Sequence, residues 1–138
     1  RLIESIPKVT GYSVVYPIHP RTKAKLEEFQ LTIRHVTLVE PLGYLDFLHL
    51  EQHAHLIVTD SGGIQEEACI LQVPCITIRE NTERPETVTV GANRLVDLDL
   101  EKFEDAVGFH QNNARSWSNP FGDGHTAEKI VGVLQSKR

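Results

Sequence analysis

The sequence has no methionine, one tryptophan and two cysteines in 138 residues. It opens at Arg1 inside what reads as the end of a helix, "RLIESI". The expectation is a C-terminal half whose N-terminal partner is missing. Cys69 and Cys75 flank "ILQVP" with neither the CxxC spacing of a metal or redox site nor the framework of a small secreted domain. They read as core thiols in a reducing, cytoplasmic setting, and no secretory signal pattern precedes them. No run approaches the roughly 18 apolar residues that a membrane-spanning helix needs, so no membrane partner is expected. Basic charge is scarce as well. Fourteen Lys and Arg stand against 19 Asp and Glu, scattered along the chain, and supply no positive stripe for nucleic acid. Linker-like stretches, low-complexity segments and fixed-period repeats are absent. What remains is one ordinary domain, long enough to bury about two thirds of its unfolded surface without disulfides or metal.

Within it, short β-rich runs alternate with helix-length amphipathic segments. "YSVVYPI" (12–18), "VTLVE" (36–40), "HLIVTD" (55–60), "PCITIR" (74–79) and "NRLVDL" (93–98) read as strands. Between them lie "RTKAKLEEFQ", "YLDFLHLEQHA", "IQEEACILQ" and a short helix after Pro85. "LEKFEDAVGFHQNNA" and "TAEKIVGVLQS" close the chain as helices. Strands separated by helices imply right-handed crossovers, hence an α/β, Rossmann-like parallel sheet with helices on both faces. Ligands of such sheets bind beyond the carboxyl ends of the strands, so function is expected after residues 18, 40, 60 and 79.

At the third of these ends stands "TDSGGIQEEA" (59–68). Gly62 and Gly63 allow positive φ and close approach of backbone to a ligand, and Ser61 can cap the following helix through its hydroxyl. The N–H groups of that helix's first turn, with its dipole, make an anion site suited to phosphate. A tight strand-to-helix turn with acids in the first turn is the plainer alternative, since neither GxGxxG nor a Walker A pattern is present. On a helical wheel Ile64, Ala68 and Leu71 form the buried arc. Glu67 falls at its edge, placed to accept from a ribose diol, and Glu66 points away as a solvated charge.

"RENTERPE" (79–86) ends the next strand. Pro85 suits a first helical position, and Arg84 before it can fork onto phosphate oxygens or pair with Glu83 or Glu86. His49, His53 and His55 invite a metal reading, but HExxH is absent and no third ligand is evident; a solvated helix face accounts for them and no metal is expected.

The stretch from "EPLGYLDFLHL" through "TDSGGIQEEACILQVPCITIRENTERPETV" to "NPFGDG" resembles the C-terminal domain of the non-hydrolysing UDP-N-acetylglucosamine 2-epimerases. The resemblance runs from about "YPIHP" to the end. It implies one half of a GT-B architecture, two Rossmann-like domains facing across a cleft. It also implies binding of UDP or UDP-GlcNAc, with no cofactor, a separate N-terminal domain carrying the proton chemistry, and a homodimer of the parent protein. Carried over by position, Ser61 and Gly62 would contact the diphosphate beside Gly63 of the turn. Glu67 would hold the ribose, Phe47 would stack on uracil, and Arg84 would lie near the phosphates. His19 in "YPIHP" matches a cleft histidine, but Pro20-Arg21 replaces the family's continuation after it. The implied chemistry eliminates UDP from UDP-GlcNAc and re-adds it to the other face, giving UDP-ManNAc. In the resemblance "NPFGDG" leads the closing helix toward the other domain, and Trp117 before it reads as an interdomain packing residue. Two alternatives share the same features: the nucleotide-sugar half of a GT-B glycosyltransferase, and a non-catalytic nucleotide-binding module.

Overall fold

A computed structural model describes residues 2–136. In chain order it runs α1 (Leu2–Thr10), β1 (Val15–Pro17), α2 (Pro20–Glu28), β2 (Thr37–Val39), α3 (Tyr44–Gln52) and β3 (Ile57–Thr59). There follow α4 (Gly62–Ile70), β4 (Cys75–Thr77), α5 (Pro85–Thr89), β5 (Asn93–Leu95), α6 (Leu100–Asn112) and α7 (Thr126–Ser136). The alternation read from periodicity is therefore present, and every strand pairing is parallel. The strands are shorter than the apolar runs suggest. They also pair as two ladders, β1–β2 and β3–β4–β5, where a single hydrogen-bonded sheet was expected. Side chains join the two: Val14, just ahead of β1, packs against the same apolar cluster as Leu56 and Val58 from the start of β3.

β4 is the centre of the fold, and all three of its residues are buried. Successive strand side chains point to opposite faces. Ile76 therefore meets Ile6 of α1, Val96, and Phe103, Ala106 and Val107 of α6 on one face. Cys75 and Thr77 point to the other, where Thr77 Oγ1 donates to Asn93 Oδ1 at 2.8 Å beneath α4 and α5. Helices thus cover both faces, as the Rossmann-like reading requires. The first face is largely apolar, with the buried Thr10 hydroxyl of α1 donating to Ile6 O at 2.7 Å, and burying Phe103 alone contributes about 2 to 3 kcal/mol. Both cysteines are free and buried, and burial pushes the Cys75 thiol up to about 12.

Two outcomes concern the C-terminal segment. Trp117 is part-buried against α4: its Nε1 donates to Cys69 O at 2.9 Å, and its own N–H donates to Gln72 Oε1 at 3.3 Å. It closes the C-terminal end of α4, where carbonyls lack helical partners. Beyond it, Gly122 and Gly124 adopt φ of +96° and +83°, the left-handed conformation that turns "NPFGDG" toward α7. α7 buries none of its residues, and Ile130, Val131, Val133 and Leu134 are each half-exposed or more.

Candidate functional site

The carboxyl ends of β3 and β4 open onto the N-terminus of α4. Ser61 is its N-cap residue, with extended φ and ψ of −87° and 130°, but its hydroxyl makes no capping bond. The expected side-chain cap is thus absent, and the turn is held instead by the backbone N–H of Ser61 donating to Thr59 Oγ1 at 3.1 Å. The first helical bond runs from Gln65 N to Ser61 O at 3.3 Å. The N–H groups of Gly62, Gly63 and Ile64 therefore precede the helical ladder and point out of its end, with the Ser61 hydroxyl beside them.

The glycines play a different part from the expected one. Both lie within α4, and neither has positive φ. A Cβ on Gly62 would come 4.0 Å from Glu83 Oε2, and one on Gly63 3.9 Å from Ser61 Oγ, ordinary contacts that the fold would tolerate. Their absent side chains instead bare the backbone on the side where an anion would approach. The carboxylate now beside Gly62 is that of exposed Glu83, 4.0 Å from Arg79 Nη2 and free of any tighter ion pair.

The buried arc of α4 is Gln65, Ala68 and Cys69, rotated from the expected Ile64, Ala68 and Leu71. The cause is a polar network that periodicity cannot reveal. Gln65 is fully buried. Its Oε1 accepts from Thr82 Oγ1 at 2.5 Å and from Asn93 Nδ2 at 3.2 Å, while its Nε2 donates to Ser61 O at 3.2 Å. Asn93 Nδ2 also donates to Thr87 Oγ1 at 3.1 Å, and Thr87 Oγ1 donates to Arg84 O at 2.7 Å. The network ties the loop carrying Thr82 and Arg84 to the N-cap of α4. Buried amides and hydroxyls this fully bonded hold one geometry, since any displacement leaves a desolvated polar group unpaired. Asn93 and Gln65 were invisible as site residues in the sequence; a glutamine on the buried side of the glycine helix was the available signal.

Arg84 Nε donates to Glu66 Oε1, with both side chains about one-third exposed. This corrects two expectations. Glu66 is not a solvated charge, and Arg84 pairs across to α4 instead of with Glu83 or Glu86. The pair draws the guanidinium over the flank of α4's first turns, on the same corner as Ser61 and the glycines.

Glu67 is half-buried and lies against α3. Its carboxylate raises the phenol of Tyr44 and acts on the carboxyl of Glu51, a residue the sequence reading passed over. Glu51 is 3% exposed, and neither of its oxygens has a hydrogen-bond partner. Burial, followed by the charge of Glu67, pushes its pKa up to about 7. The buried residue of α3 is thus Glu51, whereas Leu45 of the same helix is 77% exposed. Phe47, on the same helix, is half-buried.

The structure brings Ser61, Gly62, Gly63, Glu67 and Arg84 onto one corner, with the α3 helix of Phe47 packed beside it. His19 belongs to the other ladder. It is exposed and caps α2, its Nδ1 accepting from Arg21 N at 3.2 Å. Two small concavities of about 170 Å³ lie at the opposite, amino ends of the strands, around His110 and Arg115, and neither touches the α4 corner. Among the described residues no cluster of three His, Cys, Asp or Glu is arranged to hold a metal ion.

The profile of the UDP-N-acetylglucosamine 2-epimerase family matches residues 1–135. A UDP-N-acetylglucosamine 2-epimerase of Methanocaldococcus jannaschii is 53% identical over 96% of this chain, and one of Methanococcus maripaludis is 50% identical over 96%. The chain spans 37% of the length of each. Among solved structures, the M. jannaschii UDP-GlcNAc 2-epimerase in complex with UDP-GlcNAc and UDP superposes with a TM-score of 0.88 at 51% identity. It covers 98% of this chain, and 39% of that chain is matched. The Neisseria meningitidis enzyme bound to UDP-GlcNAc gives a TM-score of 0.73 at 30% identity, with 98% and 40% covered.

Proposed function

The chain belongs to the UDP-N-acetylglucosamine 2-epimerase family, and on that premise we propose that it is the UDP-binding half of an enzyme interconverting UDP-GlcNAc and UDP-ManNAc. The observation that carries the reading is the exposed N-terminus of α4. Three backbone N–H groups and an uncommitted serine hydroxyl converge there, and the helix dipole favours an anion at that point. Glu67, five residues along α4 from Gly62, supplies an acceptor for the two hydroxyls of a ribose. Arg84, held at the flank by Glu66, adds positive charge where a diphosphate would extend. Phe47 on α3 stacks on the base, and His19 faces the cleft from the neighbouring ladder.

In this reading the corner retains UDP while the glycosidic C–O bond breaks and re-forms. Charge developing on the leaving diphosphate meets fixed N–H dipoles, so it is stabilised without reorganisation. Proton removal and return at C2 fall to groups outside these residues, in a second Rossmann-like domain that completes a GT-B cleft. The exposed apolar face of α7 supports a packing partner for this chain.

Calorimetry with UDP and an assay of UDP-GlcNAc turnover test the reading on the 138-residue chain. Saturable UDP binding, weakened at least fivefold by Ser61→Ala, and no epimerisation are the expected results. Undiminished binding in Ser61→Ala would remove the serine and amide site from the account. Robust turnover by the chain alone would move the proton chemistry into these residues.

A further inference from the structure

We propose that Glu51 is a positioning residue for nucleotide binding: it holds a proton shared with Glu67, so that Glu67 carries the pair's single negative charge toward the ribose. The inference rests on the reading of the α4 corner as a nucleotide site and deepens it.

Glu51 is the most completely buried carboxyl in the described residues, 3% exposed, and both its oxygens lack hydrogen-bond partners. An isolated ionised carboxylate in such a place is costly, and proteins avoid it by pairing or by protonation. Among the described residues no cation pairs with it. The groups that act on Glu51 are its own burial and Glu67 of α4. It in turn acts on Tyr44 of its own helix and on the buried Cys75 thiol of β4. None of these is a cation, so protonation is the remaining course.

Two carboxylates are both acceptors and cannot bond to each other, which is why neither oxygen of Glu51 finds a partner. One proton changes this. As a neutral acid Glu51 donates an O–H to Glu67, and the pair becomes a single anion shared between α3 and α4, the arrangement by which close carboxyls avoid double ionisation. The position of the proton follows from exposure. Glu51 is the deeper group and keeps it, whereas Glu67 is half-buried and faces the α4 corner as an acceptor. A bound nucleoside diphosphate strengthens this assignment from both sides. Ribose hydroxyls donating to Glu67 favour its charged form, and the added negative charge nearby favours the proton on Glu51. Binding above neutral pH is therefore accompanied by proton uptake, and affinity falls as that proton becomes harder to obtain.

The test compares UDP affinity of the wild-type chain and Glu51→Gln by calorimetry from pH 5.5 to 8.5. UDP's own terminal phosphate titrates in this range, so the informative quantity is the ratio of the two affinities, in which the ligand's titration cancels. Gln keeps the shape and a donor but cannot ionise. The ratio is expected to stay near one below about pH 6 and to shift at least fivefold in favour of Glu51→Gln by pH 8.5. Wild type should take up protons on binding at pH 8, read from the buffer dependence of the heat, and the variant should not. Carboxyl-carbon NMR of the ligand-free chain gives a second readout. Glu51 should titrate near neutrality, and the Glu67 signal should report the same transition in wild type and lose it in Glu51→Gln. A flat affinity ratio with Glu51 titrating in the ordinary glutamate range overturns the proposal. If UDP binds neither protein, the nucleotide reading fails and this role falls with it. If Glu67→Ala weakens UDP binding while the ratio stays flat, the nucleotide site stands and only the role of Glu51 fails.

Discussion

The two faces of β4 differ in chemistry, although only one residue of register separates them. On the α1–α6 face Ile76 meets Ile6, Val96, Phe103, Ala106 and Val107, and the buried Thr10 hydroxyl of α1 is bonded within its own helix to Ile6 O. On the α4–α5 face Thr77 and its neighbour Asn93 begin a chain of hydrogen bonds that ends at the backbone of Arg84 and Ser61. The first face supplies non-directional stabilisation that tolerates small shifts. The second is directional and fixes where two loops sit relative to one helix end. The comparison teaches that stability and site geometry are carried by opposite sides of one strand, so they can be perturbed separately.

The largest effect should come from the apolar side. Phe103→Ala removes a fully buried ring and is expected to cost about 3 to 5 kcal/mol of unfolding free energy, measured by urea denaturation. UDP affinity under conditions where the variant remains folded should stay within a factor of two. A parallel loss of affinity would break the separation of the faces. On the polar side, Asn93→Ala strips the buried Thr77 hydroxyl of its acceptor and removes one donor from each of Gln65 and Thr87, and should cost about 2 to 3 kcal/mol. Here UDP affinity should fall as well, because the Thr82–Arg84 loop loses its tether to α4.

The pH response of stability comes next in size. Folding raises the pKa of Glu51 to about 7, so the native state binds more protons than the unfolded chain between the ordinary glutamate range and neutrality. Its contribution is complete below about pH 4.5 and is lost as pH rises through 7. The stability difference between wild type and Glu51→Gln should therefore change by on the order of 2 to 3 kcal/mol over that window, moving against wild type. A constant difference would mean that Glu51 is ionised throughout. The smallest effect on folding should be that of Arg84→Ala. Its pair with Glu66 is part-exposed and contributes no more than about 1 kcal/mol. UDP affinity should nonetheless drop several-fold, which would sharpen the distinction between groups that hold the fold and groups that meet the ligand.

The same contrast explains what was legible in the sequence. The alternation of strand and helix, the parallel pairing and the placing of Ser61, Gly62, Gly63 and Glu67 at one strand end followed from apolar periodicity and glycine chemistry, which are local signals. The roles of Gln65, Asn93 and Glu51 were not legible, because a buried polar side chain is identified by its partners, and two of the three partners of Gln65 lie 17 and 28 residues away. The helical wheel put Ile64 and Leu71 inward on the assumption that apolar residues define the buried arc. In α4 a glutamine bonded on three sides took that position instead. The Glu66–Arg84 pair was missed for a related reason, since an 18-residue separation hides it from any local pattern of charge. His19 shows the opposite case: its bond is local, Nδ1 capping α2 by accepting from Arg21 N two residues on.

The central claim is that the α4 corner holds a uridine diphosphate by its first-turn amides and Glu67. Calorimetric titration of UDP into the 138-residue chain and into Glu67→Ala tests it most directly. The account predicts saturable binding to wild type and a loss of about tenfold or more in the variant, as expected when hydrogen bonds to a charged acceptor are removed. Equal affinities in the two proteins, or no binding to wild type at millimolar UDP, would contradict it.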